Sequence, residues 1–387
     1  MIKHLFIIAT LLVSLVGFAQ TSNHSMVHDN TNRNYIVYLP ENYNPNTTYP
    51  LLLVLHGLGD SGLGMLGTGF NTIADEENFI AVYPDALEAI YLGFPAGTAW
   101  NSGTPLNPDV DDIGFLSAII DELSNTHNIN QDRIYSTGFS MGGIMSHRLA
   151  CELSDRIAAI ASVAGTLSNT ILANCSPSRA VPVMHIHGTA DAVVAYDGTP
   201  LFGLSSVDQT ISNWTSLNAC QDSPSPLTLP DSAADGFTVD LTHYTACDNE
   251  SSVKLYTVNN ADHIWLGPSN DIFATAEIWD FLKQYSLNDT GVDPTHIEAA
   301  LGNNAINLQY SPNPFSNFIQ VSISTEQHTT SQISLYNVLG ALIYQKTVAT
   351  DNTSQQWQLN TVNLPSGNYF LHVATPKEKR TINLVKQ

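Results

Sequence analysis

The amino-acid sequence predicts an α/β protein with a mostly parallel central sheet, followed by a small all-β sandwich domain. Between residues 34 and 285, short apolar runs alternate with segments of helical periodicity, which is typical of a sheet buried on both faces. After residue 305 the apolar runs alternate in polarity and are separated by Gly, Asn, Pro and Ser, which is typical of a β-sandwich.

The elements are predicted in chain order from these patterns. Strands of the α/β region are predicted at Tyr35–Leu39, Leu51–His56, Ile80–Tyr83, Arg133–Thr137, Ile157–Val163, Val183–Ile186, Val239–Tyr244 and Val253–Val258. Its helices are predicted at Phe70–Glu77, Asp112–Thr126, Met141–Leu153, Ser206–Leu217 and Ile272–Tyr285. C-terminal strands are predicted at Ile319–Ser324, Gln332–Asn337, Leu342–Val348, Gln356–Leu359, Tyr369–Thr375 and Thr381–Val385.

The N-terminus has the pattern of a secretory signal peptide. Lys3 precedes an apolar run over Leu5–Val16, and the small residue Ala19 suits a signal-peptidase site, so residues 1–19 are predicted to be removed. The run is shorter than the ~20 residues that cross a bilayer. The mature protein is therefore expected to lack a membrane span and to be secreted, either free or attached to the outer cell surface.

The remaining chain divides by composition into three segments. Residues 20–285 form the predicted α/β domain, and residues 286–305 are polar, contain Gly and Pro, and read as a linker. Residues 306–387 form the predicted β-sandwich domain. The net charge of the chain is −22, and it is unevenly spread. Residues 20–286 hold 7 basic and 29 acidic residues and so carry essentially all of it. This charge repels phosphate, so we expect no nucleic-acid partner and no docking on an anionic membrane.

Four cysteines in an exported chain predict two disulfides. Three pairings are possible, and sequence proximity favours Cys151–Cys175 and Cys220–Cys247. No Cys/His cluster has metal-ligand spacing, so neither a metal nor a cofactor is predicted.

The strongest chemical motif is Gly138-Phe-Ser140-Met-Gly142, which lies between a predicted strand and a predicted helix. This context predicts a nucleophile elbow, in which glycines permit a tight turn and the serine hydroxyl is exposed at the end of the sheet. The backbone N–H of Met141 is then one oxyanion-hole donor. The loop after an early strand should supply the second, and we assign it to Leu58, with His56 bracing that loop.

A serine nucleophile needs a general base and a group that orients it, in the chain order Ser, Asp, His for this motif. Asp191 follows the strand at 183–186 and is preferred to Asp197, which lies further from the strand end. His263 follows the last predicted strand and is the candidate base. Trp100 and Trp265 are candidates for lining an acyl site, and core packing is an equally weighted alternative for both.

The α/β segment resembles the esterase family that includes polyhydroxybutyrate depolymerases and related feruloyl and acetylxylan esterases. The resemblance is carried by LLLVLHGLGDSG (51–62), AWNSG (99–103), the stretch 132–165 around GFSMGG, VPVMHIHGTADAVVAYDG (181–198) and DHIWLG (262–267). It implies an α/β-hydrolase fold, a Ser140–Asp191–His263 triad and local pairing of the cysteines. The implied function is a secreted serine esterase, polyhydroxybutyrate depolymerase-like, that acts on a polyester or acylated polymer.

The alternatives are of two kinds. A feruloyl or acetylxylan esterase would act on plant polysaccharide, and a peptidase or acyltransferase would use the same catalytic groups. A catalytically inactive surface-binding protein would belong to another class.

The C-terminal segment resembles the sorting domain of the type IX secretion system. The matching motifs are SPNPFSN (311–317), ISLYNVLGALIY (333–344), LPSGNYFLHV (364–373) and the closing KEKRTINLVKQ. The resemblance implies passage across the outer membrane through that machinery, and a carbohydrate- or polymer-binding module is the alternative.

Overall fold

The computed structural model describes residues 20–287, except 232 and 234, and residues 306–386 apart from 312–314, 326–328, 338–341, 351–354, 363, 366 and 375–378. The predicted signal peptide and nearly all of the predicted linker lie outside the described residues. The chain forms two compact units, Met1–Asn288 and Asp289–Gln387.

The first unit is built on a ten-stranded mixed sheet with helices on both faces. Its strands are β1 (Thr21–His28), β2 (Thr31–Tyr38), β3 (Tyr49–Leu55), β4 (Ile80–Pro84), β7 (Ile129–Phe139), β8 (Ala159–Val163), β9 (Val183–Gly188), β10 (Leu227–Thr228), β11 (Thr238–Tyr244) and β12 (Val253–Asn259). A separate hairpin is formed by β5 (Leu87–Tyr91) and β6 (Phe94–Ala99). The helices are α1 (Gly62–Met65), α2 (Phe70–Glu77), α3 (Asp112–Thr126), α4 (Met141–Glu152), α5 (Asn169–Asn174), α6 (Val207–Leu217) and α7 (Ala274–Leu282).

The strand order is β1-β2-β4-β3-β7-β8-β9-β12-β11-β10. The six strands from β4 to β12 in this order are mutually parallel, and the two strands at each edge are antiparallel. The predicted parallel α/β architecture is therefore confirmed for the centre of the sheet. Because the central strands are apolar along their length, both of their faces are covered, and the core forms two clusters, one on each face.

Strand β1 is not predicted by the sequence. The segment Thr21–His28 has only two apolar residues, and its side chains alternate between exposed and half-buried. It forms a strand because it pairs with β2 along its whole length, across a turn in which Asp29 and Asn30 both have positive φ. Asp and Asn tolerate this conformation. The Asp29-Asn30 pair is therefore the sequence feature that indicates this hairpin.

The second unit contains the predicted all-β architecture as a three-stranded and a four-stranded sheet. Its strands are β13 (Ile306–Ser311), β14 (Phe318–Thr325), β15 (Thr329–Asn337), β16 (Leu342–Thr350), β17 (Gln355–Asn360), β18 (Gly367–Ala374) and β19 (Lys379–Lys386). Among the described residues, alternate apolar positions of these strands form one buried core, including Ile319, Val321, Leu371 and Val373.

Both disulfides are formed with the pairing favoured by proximity. Cys151–Cys175 joins the last turn of α4 to the residue after α5, and Cys220–Cys247 joins the segment after α6 to the segment after β11. In the part of the chain that the structure describes, no helix is long and apolar enough to cross a membrane.

We expect the double substitution Cys151→Ala/Cys175→Ala to lower the free energy of unfolding by about 3 kcal/mol. The bond closes a loop with a sequence separation of 24 residues, and opening it restores loop entropy to the unfolded chain. Urea unfolding under oxidising conditions measures this, with Cys220→Ala/Cys247→Ala as a second loop of similar length. Unchanged stability of both variants would contradict it.

Candidate active site

The candidate residues come together because four parallel strands end at the same edge of the sheet. Leu58 follows β3, Ser140 follows β7, Asp191 follows β9 and His263 follows β12. Strands β3 and β7 are neighbours, as are β9 and β12. In an open α/β sheet this carboxyl edge is where ligands bind.

Ser140 sits in a strained turn between β7 and α4, with φ 56° and ψ −119°. This conformation is rare for a non-glycine residue. A Cβ at Gly142 would collide with the carbonyl oxygen of Leu55, and a Cβ at Gly138 would collide with the backbone of Gly142. The two glycines therefore let the strand–turn–helix unit press directly against β3. This is the geometry of a nucleophile elbow.

Asp191 and His263 are hydrogen-bonded to each other. Nδ1 of His263 donates to Oδ2 of Asp191 at 2.7 Å, and the other carboxylate oxygen accepts from the N–H groups of Val193 and Val194, both at 2.8 Å. The proton on Nδ1 of His263 leaves Nε2 as an acceptor. Asp191 is buried and fixed on both oxygens, so it can orient the imidazole and stabilise its protonated form.

The acidity of Asp191 follows from these contacts. Burial raises the pKa of its carboxyl group, but hydrogen bonds from His187 and His263 and from the Val194 amide outweigh burial and hold the pKa well below its usual range. Asp191 is therefore charged at neutral pH. The alternative acid, Asp197, is exposed, and Asp191 is the acid that contacts His263.

A stack of three buried histidines lies behind Asp191. Nε2 of His187 donates to the carbonyl oxygen of Val194 at 2.7 Å and lies 3.4 Å from Oδ2 of Asp191. Nε2 of His185 is 3.0 Å from Nδ1 of His187, and the ring of His147 stacks on that of His185 at 5.6 Å. A carbonyl oxygen can only accept, so the proton of His187 lies on Nε2, and Nδ1 of His187 accepts from Nε2 of His185. The link from these histidines to Asp191 is not predicted by the sequence.

The loop of His263 is tied to the loop of Asp191 by a neighbouring acid. Oδ1 of Asp262 accepts from the N–H of His263 at 2.8 Å and from the N–H of Ala192 at 3.3 Å. Asp262 is exposed, and it links the two loops that carry the acid and the histidine.

The two predicted oxyanion donors flank Ser140. Met141 is the first residue of α4, where the N–H groups have no partner within the helix. Gly57 lies so close that a Cβ there would be 3.4 Å from Cβ of Ser140, and the next N–H is that of Leu58. Among the hydrogen bonds of the described residues, neither of these two N–H groups is a donor, so both are available to an oxyanion.

His56 and Trp100 brace this loop. Nδ1 of His56 donates to the carbonyl oxygen of Gly57 at 2.7 Å, and its Nε2 accepts from the N–H of Ala86 at 2.9 Å. Burial lowers the pKa of His56, so it acts as a neutral hydrogen-bonding group. The indole of Trp100 is fully buried and donates to the carbonyl oxygen of His56 at 3.0 Å. Full burial favours core packing for Trp100 and removes it from the substrate-lining candidates.

Aromatic rings connect the serine and histidine sides of the site. The ring of Phe139, the residue before Ser140, lies 4.7 Å from the imidazole of His263. Trp265 is half-buried, meets Phe139 edge-on at 6.3 Å and donates from its indole N–H to Thr275. The Ser140 side chain makes no capping hydrogen bond to α4, so its hydroxyl is not engaged by the helix that it begins.

Comparison with known proteins relates this architecture to esterases. Residues 44–203 match the phospholipase/carboxylesterase family. The protein NocK of Nocardia uniformis, whose name classes it as an esterase, is 34% identical over 261 residues, which cover 63% of this chain and 73% of NocK. The chain belongs to the carboxylesterase family. Residues 310–387 match secretion system C-terminal sorting domains, which confirms the predicted sorting segment and an extracellular or cell-surface location.

Two further relatives of this carboxylesterase-family chain are larger proteins. Feruloyl esterase B of Piromyces equi is 31% identical over 269 residues, covering 66% of this chain and 46% of that protein. The bifunctional acetylxylan esterase/xylanase XynS20E of Neocallimastix patriciarum is 30% identical over 274 residues, covering 70% and 36%. The chain thus spans less than half of these two relatives. The expected esterase family is confirmed, and the comparison with polyhydroxybutyrate depolymerases stays a prediction.

We expect His187→Leu to lower kcat on a soluble ester by at least about 10-fold with little change in KM, because the Asp191 loop loses its fixed carbonyl contact. His187→Gln keeps an N–H donor and should recover most of the rate. Trp214→Phe is the matched control, since it removes the indole N–H bound to His147 at the far end of the stack. Equal rates for the Leu and Gln variants would contradict the positioning role.

The buried histidines also predict a pH dependence of stability. Burial lowers the pKa of His147 to about 3 and holds that of His185 well below its ordinary value. As pH falls below about 6.5, the unfolded chain protonates these groups and the folded chain does not, so stability falls. Each of these two histidines lowers the free energy of unfolding by up to about 1.4 kcal/mol per pH unit in this range. Urea unfolding of His185→Gln between pH 7 and about pH 4.5 should show a shallower loss than the unmodified chain; identical slopes would refute it.

Proposed function

We propose that this chain is a secreted serine carboxylic-ester hydrolase that cleaves esters of a polyester or an acylated polymer through an acyl-enzyme. One observation carries the proposal: a strained serine turn and a buried, hydrogen-bonded Asp191–His263 pair lie where the parallel strands of one sheet end. Membership of the carboxylesterase family supports it.

In the proposed mechanism, Ser140 attacks the ester carbonyl carbon while Nε2 of His263 takes the hydroxyl proton. Asp191 stabilises the resulting imidazolium. The carbonyl oxygen becomes negative and accepts hydrogen bonds from the N–H groups of Met141 and Leu58. His263 then protonates the departing alcohol, and water, activated by the same histidine, hydrolyses the acyl-enzyme.

The substrate assignment has two branches. The resemblance to polyhydroxybutyrate depolymerases favours a polyester, and the feruloyl esterase and acetylxylan esterase relatives favour an acylated plant polysaccharide. We propose Trp265 as a residue of the acyl-binding rim, because it is half-buried and contacts Phe139 beside the nucleophile. The C-terminal domain is proposed to deliver the enzyme through the type IX machinery.

Ser140→Ala should reduce kcat on a chromogenic short-chain ester by at least about 10⁴-fold, because the acyl-enzyme cannot form. It should also abolish labelling by a fluorophosphonate. Ser216→Ala, at an exposed position on α6, is the matched serine control and should retain both properties. Undiminished turnover by Ser140→Ala would refute the mechanism, and absent labelling of the unmodified chain would favour an inactive surface-binding protein.

The two substrate branches are separated by product release from poly(3-hydroxybutyrate) film, methyl ferulate and acetylated xylan under matched conditions. Release of hydroxy acid from the film alone supports the polyester branch. Release of ferulate or acetate without film erosion supports the polysaccharide branch.

A further inference from the structure

The hairpin β5–β6 presents an apolar tip to solvent. Ile90, Leu92 and Phe94 are 72%, 80% and 74% exposed. Phe94 pairs with Tyr91 and Ile90 pairs with Pro95, so these apolar side chains stand on both faces of the hairpin end. Water-exposed groups of large apolar side chains mark interaction sites more often than isolated ones do. We call these three residues the apolar tip.

The turn of this hairpin is strained around an apolar residue. Leu92 and Gly93 both have positive φ, 52° and 84°, which is the pattern of a two-residue type I′ turn. Asn, Asp and Gly are the residues that adopt it readily, and leucine is not. Neither the turn conformation nor burial in the described fold accounts for a leucine at position 92. We therefore look for a role of its side chain in contact with a partner outside the described fold.

The hairpin is fixed to the loop that carries the proposed oxyanion donor. The N–H of Gly59 donates to the carbonyl oxygen of Thr98 at 2.8 Å, and the Thr98 hydroxyl donates to the carbonyl oxygen of Asp60 at 2.5 Å. A Cβ at Gly97 would lie 2.9 Å from Cα of Gly59. At the base, the amide of Asn107 donates to the carbonyl oxygens of Leu87 and Ala99. The hairpin that carries the apolar tip is thus fixed to the Leu58 loop through Gly97 and Thr98 of β6.

Charge limits what the tip can contact. Residues 89–99 contain no charged side chain, and the whole chain carries a net charge of −22. An anionic partner is repelled by the surrounding acidity, and so is a second copy of this chain. An uncharged apolar partner meets no such repulsion at this uncharged segment.

Shape limits the partner further. The three side chains project from a turn, whereas a small ligand is enclosed by a concave pocket. A projecting tip of this kind fits an extended surface that it can press against.

We propose that the apolar tip is an anchor that adsorbs the enzyme to an uncharged, apolar, water-insoluble surface. Adsorption buries Ile90, Leu92 and Phe94 and brings the Leu58 loop, and with it Ser140, to the ester-bearing surface. This proposal rests on the proposed function for its benefit to catalysis, and adsorption itself requires no turnover.

The test uses the full chain with Ser140→Ala, so that particles are not degraded. Binding isotherms are measured on poly(3-hydroxybutyrate) particles and, at equal surface area, on insoluble xylan. Ile90→Ser/Phe94→Ser should weaken adsorption to the polyester by at least about 10-fold. The free energy of a tenfold change in affinity is smaller than the free energy of transferring two such side chains out of water. The matched control is Val27→Ser/Leu227→Ser, at sites 75% and 63% exposed on β1 and β10, which should adsorb normally.

Leu92→Asn separates anchoring from folding. Asparagine tolerates positive φ, so this variant should be at least as stable in urea while adsorbing more weakly. The proposal is overturned if the tip variants adsorb like the control, if the control is weakened equally, or if adsorption to xylan matches that to polyester. It is also overturned if sedimentation shows a dimer that the tip substitutions dissociate. Failure of the proposed function is read separately, from ester turnover and fluorophosphonate labelling of the unmodified chain.

Discussion

The close approach of the serine turn to strand β3 is the constraint on which the site depends. Gly138 and Gly142 have no Cβ, so the backbone of the turn lies against the carbonyl oxygen of Leu55. That contact aims Ser140 out of the sheet and starts α4 at Met141. It also sets the position of Gly57 and Leu58, which continue from β3. The proposed nucleophile and both proposed oxyanion donors thus depend on one backbone contact. A single methyl group at either glycine would break this contact.

The acid and the histidine are organised by a second, independent set of contacts. Asp191 is held on one oxygen by two backbone amides and on the other by His263. The surrounding loop is fixed from inside by His187, through the carbonyl oxygen of Val194, and from outside by Asp262. The buried His187 supplies a directional hydrogen bond to that carbonyl oxygen. Burial lowers the pKa of His147 and His185, so the folded state is less stable at acid pH, where the unfolded chain protonates these two groups.

Ester hydrolysis and export depend on different parts of the chain. The carboxylesterase-family unit holds nearly all of the acidity, and the C-terminal unit matches a sorting domain. Negative charge at this density repels other copies of the chain, so the adsorption proposed above needs a segment without charge. Residues 89–99 of the hairpin have no charged side chain, and the hairpin is hydrogen-bonded to the loop of the proposed oxyanion donor. In the proposal, this apolar element sets where the enzyme adsorbs.

The sequence by itself determined the parallel centre of the sheet, the bounds of α2 and α3, the cysteine pairing favoured by proximity, and Ser140, Asp191 and His263 as candidates, because apolar periodicity and order along the chain are local properties. It did not reveal β1, whose polar residues become a strand only by pairing with β2. Nor did it separate Trp100 from Trp265, or link His187 to Asp191, because burial and distance depend on which strands become neighbours. Only the tertiary structure decided these, since the contacts join residues far apart in sequence that meet where the parallel strands end.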